Sequence, residues 1–347
     1  MAGQTRNVVL IVPDGVRWQE VFTGAADELL NRADGGSWMP EKELRQRYWR
    51  DDPAERRALL LPFLWDTIAT RGQILGNQAL GSRAHVTNPH RSSYPCYNEM
   101  LTGRSDPRID SNEHGPNPNA TVFEWLNGLQ ELAGRVAVHA TWGAFHDIFN
   151  APRSGLPVQA GASPPKRADA GQRLTARDEL LNELFMTTTH IADDEPYNSL
   201  LHVAVRDYIR SAQPRVLFVG YGETDYWGHQ GRYDLMLRAI RQFDAFVADL
   251  WQTMQAMPAY RGSTTFIVTT DHGRGSGPVE WRHHGAAHPG SEDIWIAALG
   301  PDTPALGERH DLATVTQSQI AATVAALLGK DFPAVEPAAA LPLTDLL

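Results

Sequence analysis

Five short apolar segments constrain this chain more than any other feature: Asn7–Val12, Arg135–His139, Arg215–Val219, Thr264–Thr270 and Asp293–Leu299. Most are rich in Val, Ile or Phe, and each reads as a strand of a mostly buried sheet. Helical patterns lie between several of them. That alternation predicts an α/β fold: a three-layer α/β/α sandwich around a largely parallel sheet with helical crossovers.

The helices have their own signals. From Met236, apolar residues recur at Ile240, Phe243, Val247, Leu250 and Met254, in steps of 4, 3, 4, 3 and 4 that make one helical stripe. Thr316-x-x-Gln319 has the form of a capping box before IAATVAALL, with Gly329 placed as a C′ glycine. A third helix is expected to open at Thr121-x-x-Glu124. Two stretches break the rhythm. Residues 30–62 are charged and Trp-bearing, with Asp52-Pro53 as an N-cap and N1 pair. Residues 150–200 are rich in Pro, Gly, Ala and Ser before turning helical near Ala176–Phe185. Both read as insertions flanking a site, so residues 1–347 are expected to form one domain, long enough to bury a large core.

Composition narrows the function classes. With 31 Lys+Arg against 41 Asp+Glu, the net charge of −10 argues against binding a nucleic-acid duplex. Cys96 is the only cysteine, so no intramolecular disulfide framework exists. No apolar run approaches the roughly 20 residues of a membrane span. The apolar run at 8–12 is too short for a secretory signal core and leads straight into Pro13-Asp14-Gly15. A cytoplasmic protein and the mature form of an exported one both fit.

The chemistry gathers after the strands. Asp14 follows the first, Asp225 and His229 the third, and Asp271 and His272 the fourth; His283-His284-Gly285 and His288 precede the fifth. A single Asp after a strand is usually a turn former. Four clusters at strand boundaries are another matter, because ligands of open α/β sheets collect at the carboxyl ends of the strands. Mixed carboxylates and imidazoles suit zinc. Separately, Ser93-Tyr94-Pro95-Cys96-Tyr97 through Gly103 reads as a helix opening near Ser93 and closed by Gly103. A serine there is either a helix cap or, beside backbone N–H groups and a metal, a nucleophile for phosphorus. Ser92 is the neighbouring alternative.

Taken in order, Asp14 in VLIVPDGVRW, Ser93 in SYPCYNEMLTG, Asp225-x-x-Gly228-His229 in ETDYWGHQG, Asp271-His272-Gly273 in VTTDHGRG and the later His284-Gly285 resemble the alkaline phosphatase superfamily, nearest its nucleotide pyrophosphatase/phosphodiesterase and phosphoglyceromutase-like branches. The resemblance runs from residue 7 to about 330. It implies two divalent metal ions, commonly zinc, with manganese or iron tolerated by the same donors. One would be held by Asp225, His229 and His284, the other by Asp14, Asp271 and His272, with Ser93 beside the second as nucleophile. His283 and His288 compete for the last position; His284 is favoured because the family's last ligand is a His followed by Gly. The implied activity is hydrolysis of a small-molecule phosphate ester, monoester or diester, through a phosphoserine. Related branches include phosphomutases, sulfatases and members that bind without turnover. Sulfatases carry Ser-x-Pro-x-Arg or Cys-x-Pro-x-Arg, and Tyr97 stands where that Arg belongs. Asn112, Asn117 and Asn119 lie where diesterases place a phosphate-binding asparagine, Asn112 and Asn117 being the expected ones. Arg17, Arg91 and Lys166 are candidate phosphate-neutralising cations.

Overall fold

A computed structural model describes residues 3–165, 173–192 and 194–347. Eleven strands occur among them: β1 (Asn7–Pro13), β2 (Gln73–Leu75), β3 (Ala84–His85), β4 (Val136–Ala140), β5 (Val158–Ala160), β6 (Val216–Tyr221), β7 (Thr264–Thr269), β8 (Asp293–Ile294), β9 (Ile296–Leu299), β10 (Gly307–Glu308) and β11 (Val315–Thr316). Eight form the main sheet in the order β10-β2-β9-β7-β1-β6-β4-β5, and β11-β3-β8 form a small second sheet. β1 lies at the centre, parallel to both β6 and β7. In the main sheet β9 alone runs against its neighbours, and in the small sheet β8 runs against β3. The expected segment 293–299 is therefore two strands in two sheets, each antiparallel to its neighbours.

Strand alternation divides the core into two layers. Val9, Ile11, Leu217, Val219, Phe266 and Val268 point to one face, and Val8, Leu10, Val12, Val216, Phe218 and Ile267 to the other. The first face is covered by helices Asn198–Ala212 and Tyr233–Ala256, the second by Ser93–Thr102, Val122–Asn127 and Gln319–Leu327. The 24-residue helix buries the whole predicted stripe from Met236 to Met254. Each such side chain contributes about 1.5–3 kcal/mol on burial. This is the α/β/α sandwich the strand pattern predicts.

The caps hold with small shifts. Thr121 accepts from Glu124 N–H at 3.1 Å. Gly103 and Gly329 are left-handed. Pro95 is the third residue of its helix rather than the first, since the helix begins at Ser93. Only half of the 316/319 capping box forms: Gln319 Oε1 accepts from Thr316 N–H at 2.9 Å, but Gln319 is already the first helical residue. Asp52 accepts from Ala54 N–H at 2.8 Å at the start of helix Pro53–Leu60. Asp52→Ala is expected to lower stability by about 1 kcal/mol, read from the urea midpoint.

Parallel strands bring their carboxyl ends to one edge. Pro13 pairs with Tyr221, so Asp14 and the helix Glu223–His229 leave the sheet side by side. β7 ends one strand over, at Thr269, directly before Thr270-Asp271-His272. Antiparallel β9 begins at that same edge, with Ile296 opposite Thr269. Its direction returns the His283–Glu292 loop to the mouth of the sheet.

Candidate metal centre

Six side chains meet at this edge in two groups, Asp225/His229/His284 and Asp14/Asp271/His272. Within each group the nearest ligand atoms lie within 4.8 Å of one another. The His272 and His284 rings stack at 3.8 Å between centroids, which joins the two groups into one site. Asp14, Asp271 and His272 are buried, whereas His229 is exposed. Of the three competing histidines, His284 is the one in the site. His283 stacks on His288, and His288 pairs with Glu280.

The donor atoms are oriented by the backbone. His272 Nδ1 faces Gly273 O at 2.9 Å and His284 Nδ1 faces Arg91 O at 3.1 Å. Each Nδ1–H donates to its carbonyl, which leaves Nε2 as a lone-pair donor aimed into the site. His272 Nε2 lies 3.5 Å from Asp14 Oδ1 and 3.3 Å from Asp271 Oδ2. His284 Nε2 faces His229 Nε2 at 3.0 Å, and His229 Nε2 lies 3.2 Å from Asp225 Oδ2. Asp14 Oδ1 and Asp271 Oδ2 are buried with no hydrogen-bond donor. Orphaned carboxylate oxygens cost several kcal/mol when charged and unpaired, and converging lone pairs repel. A divalent cation among each group satisfies both, so the residues present fit a pair of metals.

Two glycines make the close approach possible. Gly15 has φ +63°, and a Cβ there would meet Asp225 Oδ1 at 2.6 Å. Its N–H donates to Asp271 Oδ1 at 2.9 Å, tying the chain just after Asp14 to Asp271 within the buried group. Gly228 lies against the Arg274 guanidinium, which a Cβ would meet at 2.7 Å.

Electrostatics separate the carboxylates. Burial, then the neighbouring Asp271 and Asp225 charges, raise Asp14 well above the usual carboxylate range. Burial chiefly, with Asp225, pushes Asp271 up to about 7. Burial works the same way on Asp225, but Arg274, His229 and His284 outweigh it and hold that carboxyl well below the ordinary range. Burial lowers His272 to about 4 and His284 to about 3. The metal-free protein at pH 6 therefore holds His272 and His284 neutral and a proton on Asp271. Cation binding must expel that proton. We expect zinc binding to release at least one proton per chain near pH 6, with the share from Asp271 falling away above pH 8 as that carboxyl deprotonates unaided. Calorimetry in buffers of different ionisation enthalpy measures it; release independent of pH would contradict these assignments.

Ser93 stands beside the buried group. Its Oγ is 3.3 Å from His272 Nε2, at the first residue of helix Ser93–Thr102. Ser92 is the N-cap residue, and its carbonyl accepts from Cys96 N–H at 3.0 Å. The approach to Ser93 is held by the fully buried Glu99 carboxylate. It accepts from Thr87 N–H and Oγ1–H and from Asn88 N–H, each at 2.8 Å, and from Asn88 Nδ2–H at 2.9 Å. Arg91 then takes a left-handed φ of 51°, secured by its N–H to Asn88 Oδ1 at 2.9 Å.

The asparagines divide. Asn112 Oδ1 accepts from Tyr94 N–H at 2.9 Å, which places it at the helix start next to Ser93. Asn117 does not reach the site, contrary to expectation. It is fully buried, with its amide on Asn98 Oδ1 and Ile148 O at 3.2 Å each and its carbonyl taken by Asn119 N–H. Asn119 completes that network on Asn98 and Asp106. Arg17 is likewise spent, forming a buried pair with Glu20. Arg91 pairs with Glu292 at 3.1 Å. Lys166 lies outside the described residues.

Two residues with no earlier signal join the site. Arg274, fully buried, donates to the carboxylate and carbonyl of Asp225 and to Arg282 O. It follows Asp271-His272-Gly273 directly, so the extended run DHGR was the available clue. Glu195 sits near Asp14 and Asp225, and burial first, then Asp225, raises it to about 8. It comes from the 150–200 stretch, where no spacing singled it out.

Residues 187–329 match the family model of the Metalloenzyme superfamily. No curated protein matches the chain in sequence. Among solved structures, alkaline phosphatase PafA is similar at a TM-score of 0.60 and 11% identity, over 100% of this chain and 99% of that one. The phosphonate monoester hydrolase of Agrobacterium radiobacter is similar at 0.52 and 12%, over 93% and 74%. The 2-O GAG sulfatase BT1596 is similar at 0.53 and 12%, over 98% and 72%.

Proposed function

We propose, from the premise of an alkaline phosphatase-like fold, that this chain is a metal-dependent hydrolase of small-molecule phosphate esters, with Ser93 as its nucleophile. The observation that carries the reading is Ser93 Oγ at 3.3 Å from His272 Nε2, beside the buried Asp14/Asp271/His272 group and joined through the His272–His284 stack to the second group. Asp225, His229 and His284 would hold one divalent cation, and Asp14, Asp271 and His272 the other. Zinc suits this mixture best, and manganese or iron tolerates it. Bound there, two cations supply Lewis acidity toward the phosphoryl oxygens and lower the pKa of hydroxyl groups within their reach.

The chain's own groups do the rest. Ser93 Oγ–H gives its proton to solvent water as the oxygen attacks phosphorus; the P–O bond to the leaving group breaks and the departing alkoxide takes up a proton from water, leaving phosphoserine and the free alcohol. Water then cleaves the Ser93–phosphoryl bond, returning the serine and releasing phosphate or a monoester. Asn112, seated on Tyr94 N–H, would offer its amide to a phosphate oxygen. Backbone carbonyls keep His272 and His284 in the tautomer that presents Nε2. Arg274 keeps Asp225 ionised and fixed.

Tyr97 argues against a sulfatase. It is buried, and its hydroxyl lies 3.4 Å from Asp14 Oδ2. No guanidinium occupies the position that the sulfatase motif requires.

Assay of p-nitrophenyl phosphate and bis-p-nitrophenyl phosphate with and without zinc tests the reading. Turnover of at least one ester, lost on chelation and restored by metal, is expected, and the faster of the two names the ester class. A fully metallated protein that turns over neither is a binder. Preference for p-nitrophenyl sulfate would assign the sulfatase branch instead.

A further inference from the structure

One loop joins the nucleophile helix to the exposed half of the metal centre. Residues 86–92 run from β3 to the helix that opens at Ser93. Val86 N–H still donates to Glu292 O at 2.9 Å, and then the chain bends. A side chain of the helix itself holds that bend. Glu99 is fully buried and forms no ion pair among the described residues; its hydrogen bonds come from Thr87 and Asn88. Asn88 is buried too. Its amide donates to Glu99 Oε2 at 2.9 Å and to Cys96 Sγ at 3.3 Å, and its Oδ1 accepts from Arg91 N–H at 2.9 Å.

Arg91 has a φ of 51°, in the left-handed region that a residue with a Cβ rarely occupies. In that conformation its carbonyl faces His284 Nδ1 at 3.1 Å, and among the described residues that nitrogen has no other acceptor. Stacking on His272 sets the plane of the His284 ring. The bond to Arg91 O decides which ring nitrogen carries the proton and which faces His229 and Asp225 as a lone pair. A return of residue 91 to negative φ would turn its peptide and carry the carbonyl off the ring. We infer that Asn88 is a positioning residue for the exposed metal group: it holds Arg91 left-handed, Arg91 O fixes His284, and Glu99 ties the whole loop to the helix that carries Ser93. The inference rests on the metal assignment in the hydrolase reading above. His272 is oriented instead by the Gly273 carbonyl next to it, so the two groups should respond differently when the loop is disturbed.

Two pairs of variants make the test. Asn88→Ala removes the acceptor for Arg91 N–H, whereas Asn88→Ser keeps a side-chain oxygen that can take its place. Arg91→Gly and Arg91→Val both lose the ion pair with Glu292, but glycine adopts a φ of 51° freely and valine does not. The second pair decides the matter if Asn88→Ala fails to fold. Long-range ¹H–¹⁵N NMR of the metal-free protein reads the His284 tautomer, its signal identified by loss in His284→Gln. The Nδ1–H form alone is expected in the unaltered protein, Asn88→Ser and Arg91→Gly, and a mixture in Asn88→Ala and Arg91→Val. In zinc calorimetry the last two variants should weaken, by roughly 10–100-fold, only the binding event that His229→Ala also weakens. An unchanged tautomer in both Asn88→Ala and Arg91→Val overturns the assignment. So does equal weakening of both zinc events, which a general loosening of the fold would produce. If the unaltered protein binds no zinc and the tautomer still mixes as expected, the metal reading falls and Asn88 remains the residue that orients His284.

Discussion

Ser93→Ala is expected to reduce turnover of whichever p-nitrophenyl ester the protein cleaves by roughly 10⁴-fold or more, with metal content unchanged. The magnitude follows from removing a nucleophile that acts as one unit with its activating groups. Retention of metal follows from position. Ser93 touches the buried group only through the 3.3 Å approach to His272 Nε2. Four of the six proposed ligands, Asp271, His272, His284 and Asp225, are oriented by Gly15 N–H, Gly273 O, Arg91 O and Arg274 in turn, none of which depends on the hydroxyl. Rapid quenching of the unaltered enzyme should trap phosphate on Ser93, and the variant should trap none. A variant that keeps near-full rate would remove the serine from the mechanism and return attention to Ser92 or to direct attack by water.

Asp225→Ala is expected to be the most destabilising single change at the site, by about 3–5 kcal/mol even without metal. Arg274 is fully buried, and Asp225 is the carboxylate it pairs with. Truncating Asp225 leaves a guanidinium that cannot lose its charge in a pocket that cannot hydrate it. The same change removes one of three donors from the exposed metal group. Loss of activity alone would not separate these effects. Denaturation of the metal-free protein does, because metal affinity plays no part there. Asp225→Ala combined with Arg274→Met should recover part of the loss, a coupling that a double-mutant cycle reads directly. A cost below about 1 kcal/mol, or strict additivity, would mean that the buried pair is not what organises this half of the site.

Much of this arrangement was legible from residue order because strand direction does the positioning. An apolar run that ends in Asp, in a sheet that is largely parallel, delivers that Asp to the same edge as every other such run. Asp14, Asp225 and Asp271 arrive there for that reason, and the Asp225/His229 pair then needs only one helical turn between its members. The choice of His284 over His283 and His288 came from resemblance, not spacing. The fold explains it through β9, whose antiparallel course brings the loop back so that Arg91 O can orient that ring.

The illegible parts depended on tertiary partners. Asn112, Asn117 and Asn119 are equivalent on paper. Only Asn112 meets the nucleophile helix at its Ser93 end; the other two are consumed by Asn98, farther along that helix, and by Asp106 and Ile148, contacts made across a loop whose path no local pattern dictates. Arg17 carried the charge expected of a phosphate clamp but sits three residues before Glu20, where burial makes the pair obligatory. Trp281 and Trp65 pack into the core, as most tryptophans do, while Trp38 from the same stretch as Trp49 faces solvent. Burial of an individual aromatic in an insertion is set by what packs over it, and periodicity says nothing about that.

Anomalous diffraction from crystals of the zinc-loaded protein tests the central claim most directly. Two peaks per chain are predicted, one bounded by Asp14, Asp271 and His272 and one by Asp225, His229 and His284, with Ser93 Oγ nearer the first. A single peak, or strong peaks away from these six residues, would contradict the account.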